Sequence, residues 1–153
     1  MYEAIALVDG EQSLTYSELS AAVMRVVAGL LHGADSLKEE GVAFLYPASF
    51  DYAALIIGVV AAGGIAVPLS VHASAGELSH CLSVAGARRL LLPGEMRSEA
   101  LDTVCEALEI EQLAVEDLPD AQAPNTLPLA TEQGALIVFT SGTTGKSKGV
   151  VHT

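Results

Sequence analysis

Near the C-terminal end the chain reads Ala135-Leu136-Ile137-Val138-Phe139-Thr140-Ser141-Gly142-Thr143-Thr144-Gly145-Lys146-Ser147-Lys148-Gly149-Val150-Val151. Its first five residues are a continuous apolar run rich in β-branched side chains, which predicts a strand buried on both faces. The run stops abruptly in hydroxyl residues and glycines, and two lysines follow. Residues 150–151 then predict a second strand, so a polar loop is expected to connect two strands.

The loop has the composition of an anion-binding segment. Glycine lets backbone N–H groups approach a ligand closely, and hydroxyl side chains donate further hydrogen bonds. After Arg97 the only basic residues are Lys146 and Lys148, while the same span contains nine acidic residues. A lone pair of lysines in an acidic half of the chain favours a ligand-binding role for them. Backbone N–H groups, hydroxyls and two ammonium groups together suit a polyphosphate ligand.

Two other interpretations of this loop remain open. A P-loop NTPase pattern needs a glycine five positions before Gly-Lys-Ser/Thr. Gly145-Lys146-Ser147 supplies the end of that pattern, but Thr140 occupies the position of the first glycine. A P-loop should also open a helix, whereas residues 150–151 predict a strand. The third interpretation is a turn rich in Gly, Ser and Thr that only joins two strands.

Composition and charge restrict the class of protein. The 153 residues are 51% hydrophobic, with a net charge of −12 and a mean hydropathy of +0.46. Such an acidic chain is not expected to bind nucleic acid or an anionic membrane surface. The longest stretch without charged residues, between Asp51 and Glu77, is broken by Gly63-Gly64 and Pro68, so no transmembrane segment is predicted. The N-terminus lacks the basic start and apolar core of a signal peptide.

The cysteines and histidines predict no metal site. Cys81 and Cys105 fall in helical patterns without metal-ligand spacing, so they are expected to be core thiols in a reducing compartment, the cytoplasm. The histidines form no metal-binding cluster, and none is assigned a ligand role.

The remaining sequence predicts an alternation of strands and helices. Asp9-Gly10 predicts a β-hairpin, Ser17 fits a helix N-cap, and Ser74 with Glu77 fits a capping box. Helices are predicted near residues 18–31, 50–62, 75–85 and 101–108. Strands are predicted near residues 4–8, 12–16, 41–45, 65–69, 89–92, 112–115 and 135–139.

Strands that alternate with helices favour an α/β fold. We expect three layers, with a mainly parallel sheet, helices on both faces and an N-terminal β-hairpin. The predicted organisation is a βαβ subdomain over residues 1–115, a linker or surface loop over 116–134 with three prolines, and a strand with its loop over 135–153. Ligands of such sheets bind at the carboxyl ends of the strands, where the loop after residue 139 lies. We expect that last strand to be a sheet edge.

The motif Thr-Ser-Gly-Thr-Thr-Gly-x-x-Lys-Gly-Val closely resembles the phosphate-binding signature of the adenylate-forming (AMP-binding) enzymes, which include acyl-CoA synthetases, firefly luciferase and the adenylation domains of peptide synthetases. The chain departs from the family signature at one position, because Ser147 stands where that family usually has proline. Two weaker segments extend the resemblance along the chain. Residues 14–19, LTYSEL, are similar to the family's "LTYxEL", and residues 63–69, GGIAVPL, are similar to its "AGGxxxPL".

The resemblance, which is strongest to acyl-CoA synthetases, implies a reaction. These ligases activate a carboxylic acid with Mg-ATP, release pyrophosphate and pass the acyl group to a thiol, often coenzyme A. It also implies phosphate-binding roles for part of the loop. The hydroxyl donors would be Thr140, Ser141, Thr143 and Thr144. Gly142 and Gly145 would allow the backbone to approach the phosphates, and Lys148 would offset phosphate charge.

The resemblance also implies what the chain would not do by itself. In the family, the adenine-binding segment, the ribose-binding aspartate and the lysine that drives adenylation lie further downstream. We therefore expect an N-terminal fragment of a fatty-acid or other carboxylic acid–CoA ligase, without catalytic or metal-ligating residues of its own and inactive alone. Two alternatives stay open: a stand-alone, non-catalytic binding or assembly module, and a fragment of a peptide synthetase adenylation domain.

We predict that the isolated chain self-associates. A domain cut from a larger enzyme exposes apolar surface, and the high hydrophobic content of this chain agrees with that expectation. The charge of −12 opposes aggregation by repulsion, so a defined dimer or higher oligomer is expected. Sedimentation equilibrium over a wide concentration range is the measurement, and a clean 15.7 kDa monomer would contradict the prediction.

Overall fold

The computed structural model describes residues 4–118, 124, 127, 132–140 and 147–153. The strands in these parts of the chain are β1 (Ile5–Asp9), β2 (Gln12–Thr15), β3 (Gly41–Phe44), β4 (Ile65–Pro68), β5 (Ala87–Leu91), β6 (Glu111–Leu113), β7 (Leu136–Thr140) and β8 (Lys148–His152). The α-helices are α1 (Tyr16–Leu31), α2 (Phe50–Ala61), α3 (Ala75–Ala85) and α4 (Glu99–Leu108), and short 3₁₀ turns span Gly94–Met96 and Val115–Asp117.

The main sheet has six strands in the order β6-β5-β3-β4-β7-β8. Every neighbouring pair is parallel except β7 with β8, which is antiparallel. The prediction of a mainly parallel sheet is confirmed. The expectation that the strand ending at Phe139 forms an edge is wrong, because the chain folds back and β8 pairs along the free side of β7.

A separate two-stranded sheet contains β1 and β2, which confirms the N-terminal hairpin. Its turn lies one residue later than the Asp9-Gly10 signal indicates. Asp9 pairs with Gln12, so Gly10 and Glu11 form the loop, and Gly10 takes the positive φ of 60°. That left-handed conformation is the one that glycine adopts without steric cost.

Alternating side chains along the central strands divide the core into two apolar clusters. Val42 and Phe44 of β3 pack with α1 and α2, whereas Ala43 between them belongs to the cluster with α3 and α4. The neighbouring strand β5 repeats this pattern, with Leu91 in the first cluster and Leu90 in the second. The helices therefore cover both faces of the sheet, and the predicted three-layer architecture is confirmed.

Capping boxes fix the starts of α1 and α3. The predicted cap of α1 at Ser17 is wrong, because Thr15 accepts a hydrogen bond from the Glu18 backbone N–H at 3.2 Å and its own N–H donates to the Glu18 carboxylate at 2.8 Å. Ser74 and Glu77 form the same reciprocal pair at α3, as predicted. Hydrogen bonds from the backbone and side chain of each cap residue hold the pKa of the Glu18 and Glu77 carboxyls below the usual value.

The predicted loop over residues 116–134 lies largely outside the described residues, and its role as a linker stays a prediction. No helix in the described part of the chain is long and apolar enough to cross a bilayer.

Gly58 lets α1 and α2 pack in close contact. A Cβ atom built on Gly58 would lie 2.6 Å from Cγ1 and 2.7 Å from Cβ of Val26 on the facing helix. Val26 is buried and β-branched, so it has little freedom to turn away. A hydrogen atom at position 58 is therefore required by the helix spacing, whereas glycine is otherwise unfavourable inside a helix.

We predict opposite effects for two glycine-to-alanine substitutions. Gly58→Ala should lower the free energy of unfolding, because overpacking costs about 1–3 kcal/mol and the gain in helix propensity offsets only about 1 kcal/mol. Gly76→Ala is the matched control in α3, where nothing lies within 4 Å of the added Cβ, and it should raise stability slightly. Urea unfolding measures both changes. An increase in stability for Gly58→Ala would show that the helices separate without cost.

Candidate functional site

The two strands that flank the candidate phosphate loop, β7 and β8, pair as an antiparallel hairpin. The antiparallel register of β7 and β8 pairs Thr140 with Lys148, which closes the ladder on the loop side. Both residues are exposed. The other predicted phosphate-binding residues lie outside the described residues; they are Ser141, Gly142, Thr143, Thr144 and Gly145.

The loop-side end of the hairpin lies beyond the carboxyl end of β4. The register pairs Ala66 of β4 with Leu136 of β7. Pro68, the last residue of β4, is therefore level with Val138, and Thr140 lies beyond the end of that strand. Chain segments that leave the carboxyl ends of parallel strands form the usual binding edge of an open α/β sheet, and Thr140 lies at that edge.

Hydrogen bonds hold the opposite end of the hairpin to the sheet. The Ala135 N–H donates to the carbonyl of His152 at 2.8 Å, and the Ala135 carbonyl accepts from the Ala66 N–H at 2.9 Å. The Gly134 N–H donates to the carboxylate of Glu39 at 3.0 Å. These contacts fix the base of the hairpin.

Gly149 has a packing role that the sequence did not reveal. It pairs with Phe139 across the hairpin, and an added Cβ would lie 3.1 Å from Ile137 Cγ2 and 3.3 Å from Phe139 Cε1. The aromatic ring therefore covers the glycine. Glycine is required at position 149 because the Phe139 side chain on the opposite strand covers it. That contact follows from the strand register, which cannot be read from the sequence.

His80 also contacts the hairpin, although no sequence motif indicates a role for it. Its Nε2 atom lies 2.9 Å from the carbonyl oxygen of Ser147, the residue immediately before β8. The contact joins residues 67 positions apart. A carbonyl only accepts hydrogen bonds, so Nε2 must carry the proton and donate.

Two cavities open beside the carboxyl ends of the strands, and their charge distinguishes them. The larger, of about 810 Å³, is lined by the carboxylates of Asp51, Glu95 and Glu116 together with the guanidinium of Arg25. Burial, with the charges of Glu116, Asp51 and Glu95, raises the pKa of Tyr46 in its wall to about 12. A cavity with three carboxylates and one cation repels polyphosphate, so this space is not the predicted phosphate site.

The smaller cavity, of about 430 Å³, adjoins the hairpin. Phe139 and Ser147 of the hairpin, Ser70 and His72 after β4, and Tyr52 of α2 contribute to its lining. Among its described lining residues the one carboxylate is that of Glu77, in the capping box of α3. The rest of its described lining is mostly apolar, with a few neutral polar side chains among the apolar ones.

Both cysteines are core residues, as predicted. The side chains of Cys81 and Cys105 are buried among the apolar residues of α3, α4 and the sheet, and both thiols are free. Burial raises the pKa of each thiol, with smaller contributions from Glu77 and Asp102 respectively. Protonated, buried thiols are poor nucleophiles and poor metal ligands. Within the described ranges no group of three or more His, Cys, Asp or Glu residues is arranged to hold a metal ion.

The profile of one protein family, described as "AMP-binding enzyme", matches residues 1–153. Long-chain-fatty-acid–CoA ligase FadD13 of Mycobacterium tuberculosis is 31% identical over 151 residues, which cover 92% of this chain and 29% of the ligase. Cyclosporin synthetase simA of Tolypocladium inflatum is 30% identical over 152 residues, which cover 97% of this chain and 1% of the synthetase.

A solved structure with the same fold is o-succinylbenzoate CoA synthetase (MenE) from Bacillus subtilis. Its complex with AMP superposes with a TM-score of 0.83 at 26% identity, over 99% of this chain and 39% of that one. Its complex with ATP and magnesium ion gives a TM-score of 0.79 at 25% identity, over 99% and 40%. The present chain thus spans well under half the length of these relatives.

Proposed function

Because the chain belongs to the AMP-binding enzyme family, we propose that it is the N-terminal part of an AMP-forming acyl-CoA synthetase and holds the β- and γ-phosphates of ATP during acyl-adenylate formation. The observation that carries this proposal is the pairing of Thr140 with Lys148 beyond the carboxyl edge of the sheet. The two residues bracket a loop whose composition suits a polyphosphate.

The pairing gives the two side chains a common direction. Directly opposite residues of antiparallel strands project from the same face of the hairpin, with Cβ atoms about 4.5–5.5 Å apart. The Thr140 hydroxyl donates a hydrogen bond to a phosphate oxygen, while the Lys148 ammonium offsets phosphate charge. This positive group is important on a chain of net charge −12, which repels a free polyanion.

The loop between Thr140 and Lys148 completes the proposed phosphate site. We propose that its hydroxyl residues, Ser141, Thr143 and Thr144, donate hydrogen bonds to the phosphates. Its glycines, Gly142 and Gly145, let the backbone approach the phosphates closely. We assign the magnesium ion to the nucleotide's own phosphate oxygens, because Mg²⁺ in such sites is usually bound by substrate phosphates, water and one or two carboxylates, and residues 140–148 include no Asp or Glu. Catalysis of this kind depends on positioning and charge neutralisation.

The acyl-CoA synthetase assignment draws support from the similarity to FadD13, which is named as a CoA ligase, and to MenE, which is named as a CoA synthetase. The similarity to cyclosporin synthetase keeps a peptide synthetase adenylation domain as the alternative. We propose a small carboxylic acid, such as a fatty acid, as the substrate, and coenzyme A as the acyl acceptor. Buried free thiols agree with a cytoplasmic location.

We predict that the chain binds Mg-ATP weakly through the hairpin and that Lys148→Ala weakens this binding about tenfold to a hundredfold. A charge-assisted hydrogen bond contributes about 1.5–3 kcal/mol, which is the source of that range. Amide chemical-shift titrations with Mg-ATP and Mg-tripolyphosphate measure the affinity, and AMP, which lacks the β- and γ-phosphates, is the ligand control. Lys38→Asn is the matched variant, because it removes the same charge from an exposed left-handed position in the turn before β3.

Shifts at the amides of residues 148–150 with ATP and tripolyphosphate, and not with AMP, would support the proposal. It would be overturned by shifts confined to the larger cavity, by equal responses to all three ligands, or by unchanged affinity in Lys148→Ala.

We predict that the chain alone does not catalyse ATP–pyrophosphate exchange with any carboxylic acid. It spans 39% of the MenE chain in the AMP complex, and adenylation also needs groups that bind the adenine, the ribose and the acid. An exchange assay over a panel of aliphatic, aromatic and amino acids is the measurement. Exchange above that of an empty-vector preparation would show that the chain is a complete catalyst.

A further inference from the structure

Within the described residues, β8 has a strand neighbour on one side only. It lies at the end of the main sheet, pairs with β7, and all five of its residues are exposed. Strands with a free edge open more readily than strands inside a sheet, because fewer backbone hydrogen bonds and apolar contacts must be broken. The loop-side end of β8 carries Lys148, so any opening there displaces the cation of the proposed phosphate site.

His80 provides a second support at that end of the strand. Its Nε2–H donates to the Ser147 carbonyl, and the contact is partly buried, which limits competition from water. Ser147 precedes Lys148 directly, so this hydrogen bond fixes the backbone immediately before the cation. The family resemblance places proline at position 147, and a proline would offer the same carbonyl.

The helix that carries His80 is rigidly attached to the sheet. Leu78, Cys81 and Leu82 of α3 are buried in the second apolar cluster, on both sides of His80 in sequence. The capping box of Ser74 fixes the first turn of the same helix. A donor on such an element has a defined position, which suits it to hold the backbone of a neighbouring edge strand.

We propose that His80 is a positioning residue that anchors the exit of the phosphate loop to α3 and thereby sets the position of Lys148. The role of this anchor in phosphate binding rests on the proposed function. The hydrogen bond between His80 and Ser147 is itself present in the chain without nucleotide. His80 takes no part in the chemistry and acts only through the Ser147 backbone.

Four variants separate the hydrogen bond from packing. His80→Phe keeps a flat ring and removes the donor. His80→Gln places an amide N–H₂ near the position of Nε2, whereas His80→Asn places it near Nδ1, too short to reach the carbonyl. Ser83→Ala is the control on an exposed position of the same helix.

Amide hydrogen exchange of the full 153-residue chain, without nucleotide, is the primary measurement. We expect exchange of the amides in residues 148–152 to rise about two- to twelvefold in His80→Phe and His80→Asn, the range for one net hydrogen bond. His80→Gln and Ser83→Ala should stay near the parent chain, and amides of β3 and β5 should be unaffected in every variant. Affinity for Mg-tripolyphosphate should fall and recover with the same pattern.

The proposal is overturned if β8 exchanges equally fast in the parent and His80→Phe, if faster exchange spreads to β3 and β5, or if a folded His80→Gln behaves like His80→Phe. Should His80→Phe not fold, the comparison of Gln with Asn decides alone. Absence of tripolyphosphate binding in the parent chain would refute the proposed function, while the exchange pattern would still test the anchor.

Discussion

Burial of the central strand on both faces is the constraint on which the rest of the structure depends. All four residues of β3 are buried, and successive side chains enter opposite apolar clusters. A strand with this pattern is stable only if helices cover both sides, since either face alone would leave apolar surface in water. The chain meets the requirement with α1 and α2 on one face and α3 and α4 on the other. Parallel pairing around β3 then brings the carboxyl ends of five strands to one edge, where the candidate site lies.

Regular elements were predictable from the sequence because their signals are local. Apolar periodicity and the Ser74 capping box gave the helices to within a few residues, and β-branched runs gave the strands. The cap of α1 was misplaced at Ser17 because two hydroxyl residues, Thr15 and Ser17, compete there. The reciprocal bond to Glu18, three residues after Thr15, decides between them. Attention to that Thr-x-x-Glu spacing would have found the true start.

The candidate site was predictable only in part. Thr140 and Lys148 could be named from composition and motif, but their direct pairing depends on the register of β7 with β8. The strand β7 was wrongly predicted to be a sheet edge for the same reason. The sequence indicates that a strand is present, but it does not indicate which strands pair with it on each side. His80 carried no signal, because a side chain-to-backbone contact across 67 residues leaves no spacing pattern. Contacts between residues that are distant in sequence could not be predicted from the sequence.

The capping box of α3 makes the start of that helix sensitive to acid. The folded-state pKa of Glu77 lies below its ordinary value of 4.5, so the carboxylate stabilises the helix at all pH values above that figure. The contribution is lost as the pH falls through the lowered folded-state pKa, and salt screens it because the group is exposed. Glu18 follows the same course at α1. Acidification therefore loosens the first turns of the helices that flank both faces of the sheet while the apolar clusters, which contain no titrating carboxylate, persist. The earliest acid-induced change in this protein is expected to be fraying at helix ends rather than collapse of the core.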